Sequence, residues 1–221
     1  MQAISDHVAL LIERGGIVMI PLFAMSVISL ALILERAWFW FLNHRSRRLK
    51  TLLRLTDALR RGRHDAAETL AVVDRSPYGA LASAMLRHGA SDAVAVEAVE
   101  EQRPRLERFM VSLSTIITAA PLLGILGTVV GIIQSFRLLG EQQTLTDPRE
   151  VAGGIAAALL TTALGLIVAL LTLFPYMIFK SQMGRAMGRM ESIIAAAQQG
   201  AARRSPATAA DDAATPVATR V

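Results

Sequence analysis

The sequence predicts an all-α membrane protein with three transmembrane helices and long helical extensions on the cytoplasmic side. Of its 221 residues, 53% are hydrophobic, more than is usual in a soluble domain. Three runs without a charged residue cover residues 17–34, 109–136 and 151–179, and about 20 apolar residues are enough for a helix to cross a bilayer. Basic residues cluster directly after the first and the last run, where residues that determine membrane topology lie.

Composition also excludes several function classes. The chain has no cysteine, so disulfides and thiolate metal sites are excluded. Its net charge of +5 comes from clusters beside the apolar runs and not from a basic stripe interleaved with aromatic residues, so we expect membrane lipid and no nucleic acid as its surroundings. The four histidines are scattered and no nucleophile elbow or metal-ligand spacing occurs, so neither an enzyme nor a cofactor or metal site is expected. They are His7, His44, His64 and His88.

The first apolar run predicts a transmembrane helix over residues 15–42, preceded by a short periplasmic amphipathic helix over residues 1–14. A cleaved signal peptide is the alternative interpretation. It is disfavoured because the run is too long and lacks both a basic leading region and a small-x-small cleavage site. The basic stretch at residues 44–50, HRSRRLK, is predicted to stay in the cytoplasm, which places the N-terminus in the periplasm and the C-terminus in the cytoplasm.

Residues 43–108 predict a cytoplasmic helical domain. Gly62 and Gly89 are expected to end helices, because glycine readily adopts the left-handed conformation found after a last helical turn. Asp65 with Glu68 predicts a capping box. The final helix, from Asp92, either stops before the second span or continues into it without a break.

The remaining boundaries follow from the other two apolar runs. They predict transmembrane helices over residues 109–137 and 151–179, joined by a short periplasmic loop over residues 138–150. A cytoplasmic helix is expected over residues 180–199. The rest, residues 200–221, is rich in Ala, Thr, Asp and Pro and predicts a disordered tail.

The second and third spans carry small residues at helical spacing, which allow another helix to approach closely in lipid. The predicted helix-packing residues are Gly124, Gly127, Gly131, Gly154, Ala158 and Gly165.

Hydroxyl residues lie next to these small residues, and polar groups inside a span face protein or water by default. Their simplest role is a bond to a carbonyl of their own helix, but their pairing on two helices also predicts a lined passage. The charge-free runs 109–136 and 151–179 contain no Asp, Glu, Lys, Arg or His, so a proton path here would need a titrating carboxylate from another chain. The predicted pore-lining residues are Thr118, Thr128, Thr161 and Thr162.

The segment ITAAPLLGILGTVVGIIQSF resembles the second membrane helix of the MotA/TolQ/ExbB proton channel family, most closely its ExbB/TolQ branch. The segments ERGGIVMIPLFAMSVISLALILER, PYGALASAML and GGIAAALLTTALGL resemble its first helix, a cytoplasmic segment and its third helix. The similarity extends from about residue 13 to about residue 191.

The resemblance implies a homopentamer in the bacterial inner membrane, whose pore holds an ExbD/TolR-like single-span subunit with the titrating Asp. A TonB-like protein is a further partner that it suggests. Thr128 and Thr162 match the family's pore threonines, whereas Ala157 stands where ExbB and TolQ typically have Glu. The implied function is the pore-forming subunit of a motor that uses the proton-motive force to energise transport or envelope processes. The alternative is a non-conducting structural scaffold of the same fold.

Overall fold

The structure is a computed structural model that describes residues 17–43, 46–141 and 148–214. Over these ranges the chain forms α-helices and no strand. Three of the helices are long and apolar enough to cross a membrane, as the three charge-free runs predict. The helices are α1 (Met19–Asn43), α2 (Ser46–Arg60), α3 (His64–Val73), α4 (Pro77–His88), α5 (Asp92–Glu107), α6 (Met110–Glu141) and α7 (Pro148–Ala214).

The described chain divides into two compact units. The first, called here the span unit, comprises residues 17–37 and Phe109–Lys180. The second, called here the helical cassette, comprises Trp38–Arg108 and residues 181–214. Both α1 and α7 contribute residues to each unit.

The span unit has a small core where α1, α6 and α7 meet. Leu22 of α1, Ile116 and Ala120 of α6, and Val168 and Ala169 of α7 are buried together. Most other large apolar side chains of these helices are exposed in the isolated chain. Outward-facing apolar side chains are expected for helices surrounded by lipid or by other membrane helices.

In the helical cassette, consecutive helices pack side by side: α2 on α3, α3 on α4 and α4 on α5. Leu55, Leu81 and Met85 are fully buried there, as are Met190 and Ile193 of α7. The third apolar helix therefore continues beyond its membrane-spanning length into a buried position in the cassette.

Local signals explain where these helices start and stop. Gly62 (φ 69°) and Gly89 (φ 93°) have the positive φ that glycine adopts without steric cost, and both end helices as predicted. Ser91 caps α5, its hydroxyl accepting a hydrogen bond from the backbone N–H of Val94 at 3.4 Å. The predicted capping box at Asp65 is wrong, because α3 begins at His64 and Arg63 occupies the cap position without a side-chain bond. Asp65 instead lies in the first turn, where a carboxylate interacts favourably with the helix dipole.

The helix that begins at Asp92 ends before the second span and does not continue into it, so the first of the two predicted alternatives is correct. Arg108 and Phe109 form a turn between α5 and α6, and Phe109 has φ 63°. A positive φ is sterically costly for a bulky residue, and nothing in the sequence signals it.

The last helix is longer than predicted. It continues to Ala214, so the predicted tail from residue 200 is helical over residues 200–214. Alanine dominates this stretch and has the highest helix propensity of all residues, which outweighs the disorder-prone composition. The predicted helix over residues 1–14 lies outside the described residues, as do residues 142–147 of the predicted loop and residues 215–221.

Gly79 offers a test of the cassette packing. A Cβ at this position would collide with the carbonyl oxygen of Asp74 and lie 2.9 Å from that of Ala71. Gly79→Ala should therefore destabilise the protein by about 1–3 kcal/mol, because backbone atoms cannot move aside cheaply. Thermal unfolding of the purified protein in detergent measures the effect. The matched control is Gly184→Ala, also within a helix, where a Cβ meets nothing within 4 Å. Equal effects of the two substitutions would contradict the packing described.

Candidate functional site

The candidate site is the contact between α6 and α7 in the span unit. The two helices run antiparallel along this contact, since the contacting positions rise along α6 as they fall along α7. Three glycine positions mark its course: Gly165 faces Ala120, Gly131 faces Ala158, and Gly154 faces Ser135. All the predicted helix-packing residues lie along this line, with Gly124 and Gly127 in its middle against Thr161 and Thr162.

Glycine allows the two backbones to approach. A Cβ on Gly124 would lie 2.9 Å from the Cα of Thr162 and 3.0 Å from the carbonyl oxygen of Thr161. A Cβ on Gly131 would lie 2.6 Å from the Cβ of Ala158. Such distances are shorter than side chains tolerate, so any larger residue at these positions forces the helices apart.

Three hydroxyls converge on the backbone carbonyl of Gly124. The Oγ1 of Thr162 donates to this carbonyl oxygen at 2.8 Å, and Thr161 reaches it at 3.2 Å. Thr128, one turn further along α6, lies 3.3 Å from it. The Oγ1 atoms of Thr128 and Thr162 are also 3.1 Å apart.

A hydroxyl has only one proton, so these contacts cannot all form at once. The shortest contacts give a consistent arrangement: Thr162 donates to Gly124, and Thr161 donates to the carbonyl of Ala158 at 2.7 Å. Thr128 then donates either to the carbonyl of Ile125 at 2.7 Å or to Thr162. The hydroxyl of Thr128 can therefore change its acceptor without moving its oxygen.

The predicted pore-lining residues lie in three different environments. Thr161 is fully buried between the helices, which favours a packing role. Thr128 and Thr162 are half-buried. Thr118 is exposed and donates within its own helix, 3.0 Å from the carbonyl oxygen of Thr115. Whether Thr128, Thr162 and Thr118 face a passage stays a prediction.

Sequence reasoning missed the main-chain acceptor on which these hydroxyls converge. Every helical carbonyl already accepts from the residue four positions on, so a carbonyl that also serves three side chains cannot be recognised from residue types. The only available signal was a glycine four residues before Thr128, where α7 could come close enough to reach it.

The two apolar runs place no Asp, Glu, Lys, Arg or His along this contact. Residues 110–136 and 151–179 contain none of these five residue types, and Ala157 is half-buried on α7 without a carboxylate. Among the described side chains of this unit, Arg36 of α1 is a buried charge, and its Nε lies 3.0 Å from Glu35 Oε2. Its guanidinium lies over the ring of Phe109, 5.9 Å from the centroid. Among the described residues no group of three or more His, Cys, Asp or Glu could hold a metal ion.

The close approach at Gly124 predicts a position-specific stability effect. Gly124→Ala should destabilise the α6–α7 pair by about 1–3 kcal/mol, because its Cβ meets the backbone of α7. Gly153→Ala is the matched control, since a Cβ there meets nothing within 4 Å. Thermal unfolding in detergent compares the two, and a loss for Gly153→Ala as large as that for Gly124→Ala would contradict the account of this contact.

Comparison with known proteins agrees with the architecture. The model of the MotA/TolQ/ExbB proton channel family matches residues 79–192. The ExbB-like 3 biopolymer transport protein of Synechocystis sp. is 36% identical over 177 residues, which cover 76% of this chain and 82% of that protein. Its ExbB-like 1 counterpart is 34% identical over 79% of this chain and 71% of its own length. The Tol-Pal system protein TolQ of Pseudomonas aeruginosa is 37% identical over 42% of this chain and 39% of its own length. The chain belongs to the MotA/TolQ/ExbB proton channel family.

Proposed function

We propose that this protein is the pore-forming subunit of a motor of the bacterial inner membrane that is driven by the proton-motive force. Several copies, five by the family resemblance, surround an ExbD/TolR-like single-span partner that carries the titrating Asp. The N-terminus lies in the periplasm and the C-terminus in the cytoplasm. The names of relatives, which refer to biopolymer transport and to the Tol-Pal system, support transport or envelope maintenance as the class of work that is energised.

The observation that carries this proposal is the pairing of Thr128 with Thr162 on two helices whose charge-free runs contain no Asp, Glu, Lys, Arg or His. Hydroxyls can donate to and accept from water in turn, so they can order water along a path. They do not ionise at physiological pH, and a proton relay in a membrane uses titratable groups. A partner carboxylate supplies the missing group.

Ala157 supports the same division of roles between this chain and its partner. At the position where ExbB and TolQ typically have Glu, a methyl group leaves α7 without a carboxylate of its own. A proton path along this surface then depends on the partner's acid alone.

A second candidate function is a non-conducting scaffold of the same fold. The observation that favours it is that the hydroxyls find acceptors inside the chain, on Gly124, Ile125 and Ala158. In lipid such bonds stabilise helix pairs without any role for water. A scaffold would form the same oligomer but carry no protons.

Proton uptake into liposomes distinguishes the two functions. With the single-span partner reconstituted, the wild-type chain should take up protons, and Thr128→Val together with Thr162→Val should reduce the rate by at least about tenfold, a transition-state effect of about 1.4 kcal/mol. Valine keeps the shape of threonine and removes the hydroxyl.

The control is Thr172→Val. Thr172 is fully buried and donates to the carbonyl of Val168 in its own helix at 2.7 Å, so its loss should leave uptake unchanged. Unaltered uptake in the Thr128/Thr162 double variant would contradict the proposed lining. An intact oligomer that conducts no protons with its partner would favour the scaffold.

A further inference from the structure

The outer face of α2 combines apolar and basic side chains in the helical cassette. Leu49 (43% exposed) and Leu53 (64% exposed) form one row, and Lys50 with Arg54, both exposed, form the adjacent row. No ion pair joins Lys50 or Arg54 to another described side chain. Residues four apart lie on one face of a helix, so the leucine row and the basic row run side by side.

The outer face of α5 has the opposite charge. Glu97 and Glu101 are exposed and are not ion-paired within the described residues. They form one rim of a groove of about 380 Å³ between α4 and α5. Its floor includes Ala84, Val94 and Ala98, whereas Arg87 and His88 of α4 form the other rim.

The charge balance of the whole helices follows the same pattern. In α2 five basic residues stand against one acidic residue. In α5 five acidic residues stand against two basic residues. Arg103 of α5 is already paired with Glu100 at 2.8 Å and with Glu107 at 3.3 Å, so Glu97 and Glu101 remain available to an outside cation.

The outer faces of α2 and α5 also lie at similar positions along the axis of α7. Gly200 of α7 lies against the backbone of Leu59, near the end of α2. Two residues earlier on α7, Gln198 donates to the carboxylate of Asp92, at the start of α5, at 2.6 Å. From these contacts α2 leads back towards α1 and α5 leads on towards α6.

The charged residues of α2 and α5 lie at matching distances along their helices from these contacts. Arg54 lies five residues from Leu59, and Glu97 lies five residues from Asp92. Lys50 and Glu101 each lie nine residues from the same reference points. At about 1.5 Å per residue, these distances are roughly 7.5 and 13.5 Å, and because Gly200 and Gln198 lie two residues apart on α7, the members of each pair lie within about 3 Å of the same level.

We propose that α2 of one copy docks against the α4–α5 groove of a second copy, with Arg54 facing Glu97 and Lys50 facing Glu101. Leu49 and Leu53 cover the apolar floor. Arg87 on the other rim repels Lys50 and Arg54, which keeps them on the α5 side. Because every copy is held in the same membrane by the same spans, equivalent residues lie at the same depth, and only faces at matching levels can meet.

This contact joins two different faces, so it repeats from copy to copy and closes into a ring or continues as a chain. The inference rests on the homo-oligomer of the proposed function and assigns the cassette surfaces that hold neighbouring copies together. It does not depend on proton conduction.

Cysteine cross-linking in membranes tests the contact, since the native chain has no cysteine. The double variant Leu53→Cys with Val96→Cys, treated with a short bismaleimide, should give a ladder of dimers and higher species on denaturing gels. Each single variant should stay monomeric. The matched control is Leu53→Cys with Val73→Cys, whose second residue is exposed on α3 and does not line the groove, and it should give no ladder.

Charge exchange provides the second measurement. Lys50→Glu with Arg54→Glu, or Glu97→Lys with Glu101→Lys, should each reduce cross-linking of the Leu53/Val96 pair by roughly tenfold, since like charges then oppose each other. All four substitutions together should restore it, which a general folding defect would not allow.

The outcomes separate this inference from the proposed function. A native-size oligomer without the Leu53/Val96 ladder, or with lipid or another protein cross-linked to Leu53 instead, overturns the contact and leaves the motor proposal standing. Dimers alone without higher species overturn the head-to-tail arrangement. A ladder restored by the fourfold exchange supports it, whatever proton uptake shows.

Discussion

The close approach of two backbones at Gly124 is the contact on which the rest of the span unit depends. The Cα of Thr162 lies only 2.9 Å from the place that a Cβ on Gly124 would occupy. That proximity brings the hydroxyls of Thr161 and Thr162 to the Gly124 carbonyl and places Thr128 within 3.1 Å of Thr162. In lipid there is no hydrophobic drive between helices, so such close packing and interhelical hydrogen bonds hold the pair together. The same contact therefore supplies both the stability and the chemistry of the site.

The hydrogen bonds at this contact are compatible both with proton conduction and with a role in helix packing alone. Each hydroxyl has an acceptor inside the protein, so none is left unsatisfied in an apolar environment. Thr128 nevertheless has two possible acceptors and is half-buried, so it can also bond with water. Thr161 is fully buried and lacks this freedom. The difference between these neighbouring threonines is one of exposure and not of chemistry.

Much of the fold was predictable because its sequence signals are either long apolar runs or single residues at helix ends. Three charge-free runs fixed the three apolar helices, and Gly62, Gly89 and Ser91 fixed helix ends through backbone conformation and capping. The break at Phe109 was not predictable, since a positive φ at a bulky residue has no sequence signature. The helical extension to Ala214 was missed because composition and helix propensity gave opposite indications. At the site, the small-residue stripes could be recognised in the sequence. The use of the Gly124 carbonyl as the common acceptor could not be predicted, because it depends on how the two helices meet.

The two membrane helices offer hydroxyls and no carboxylate of their own along the α6–α7 contact, and the proposed function takes the acid from a partner. Proton uptake into liposomes containing the purified oligomer alone, compared with liposomes that also contain the Asp-bearing single-span partner, tests this most directly. We predict no uptake above protein-free liposomes for the chain alone and uptake when the partner is present. Proton uptake by the chain alone, at a rate that the partner does not change, would contradict the account.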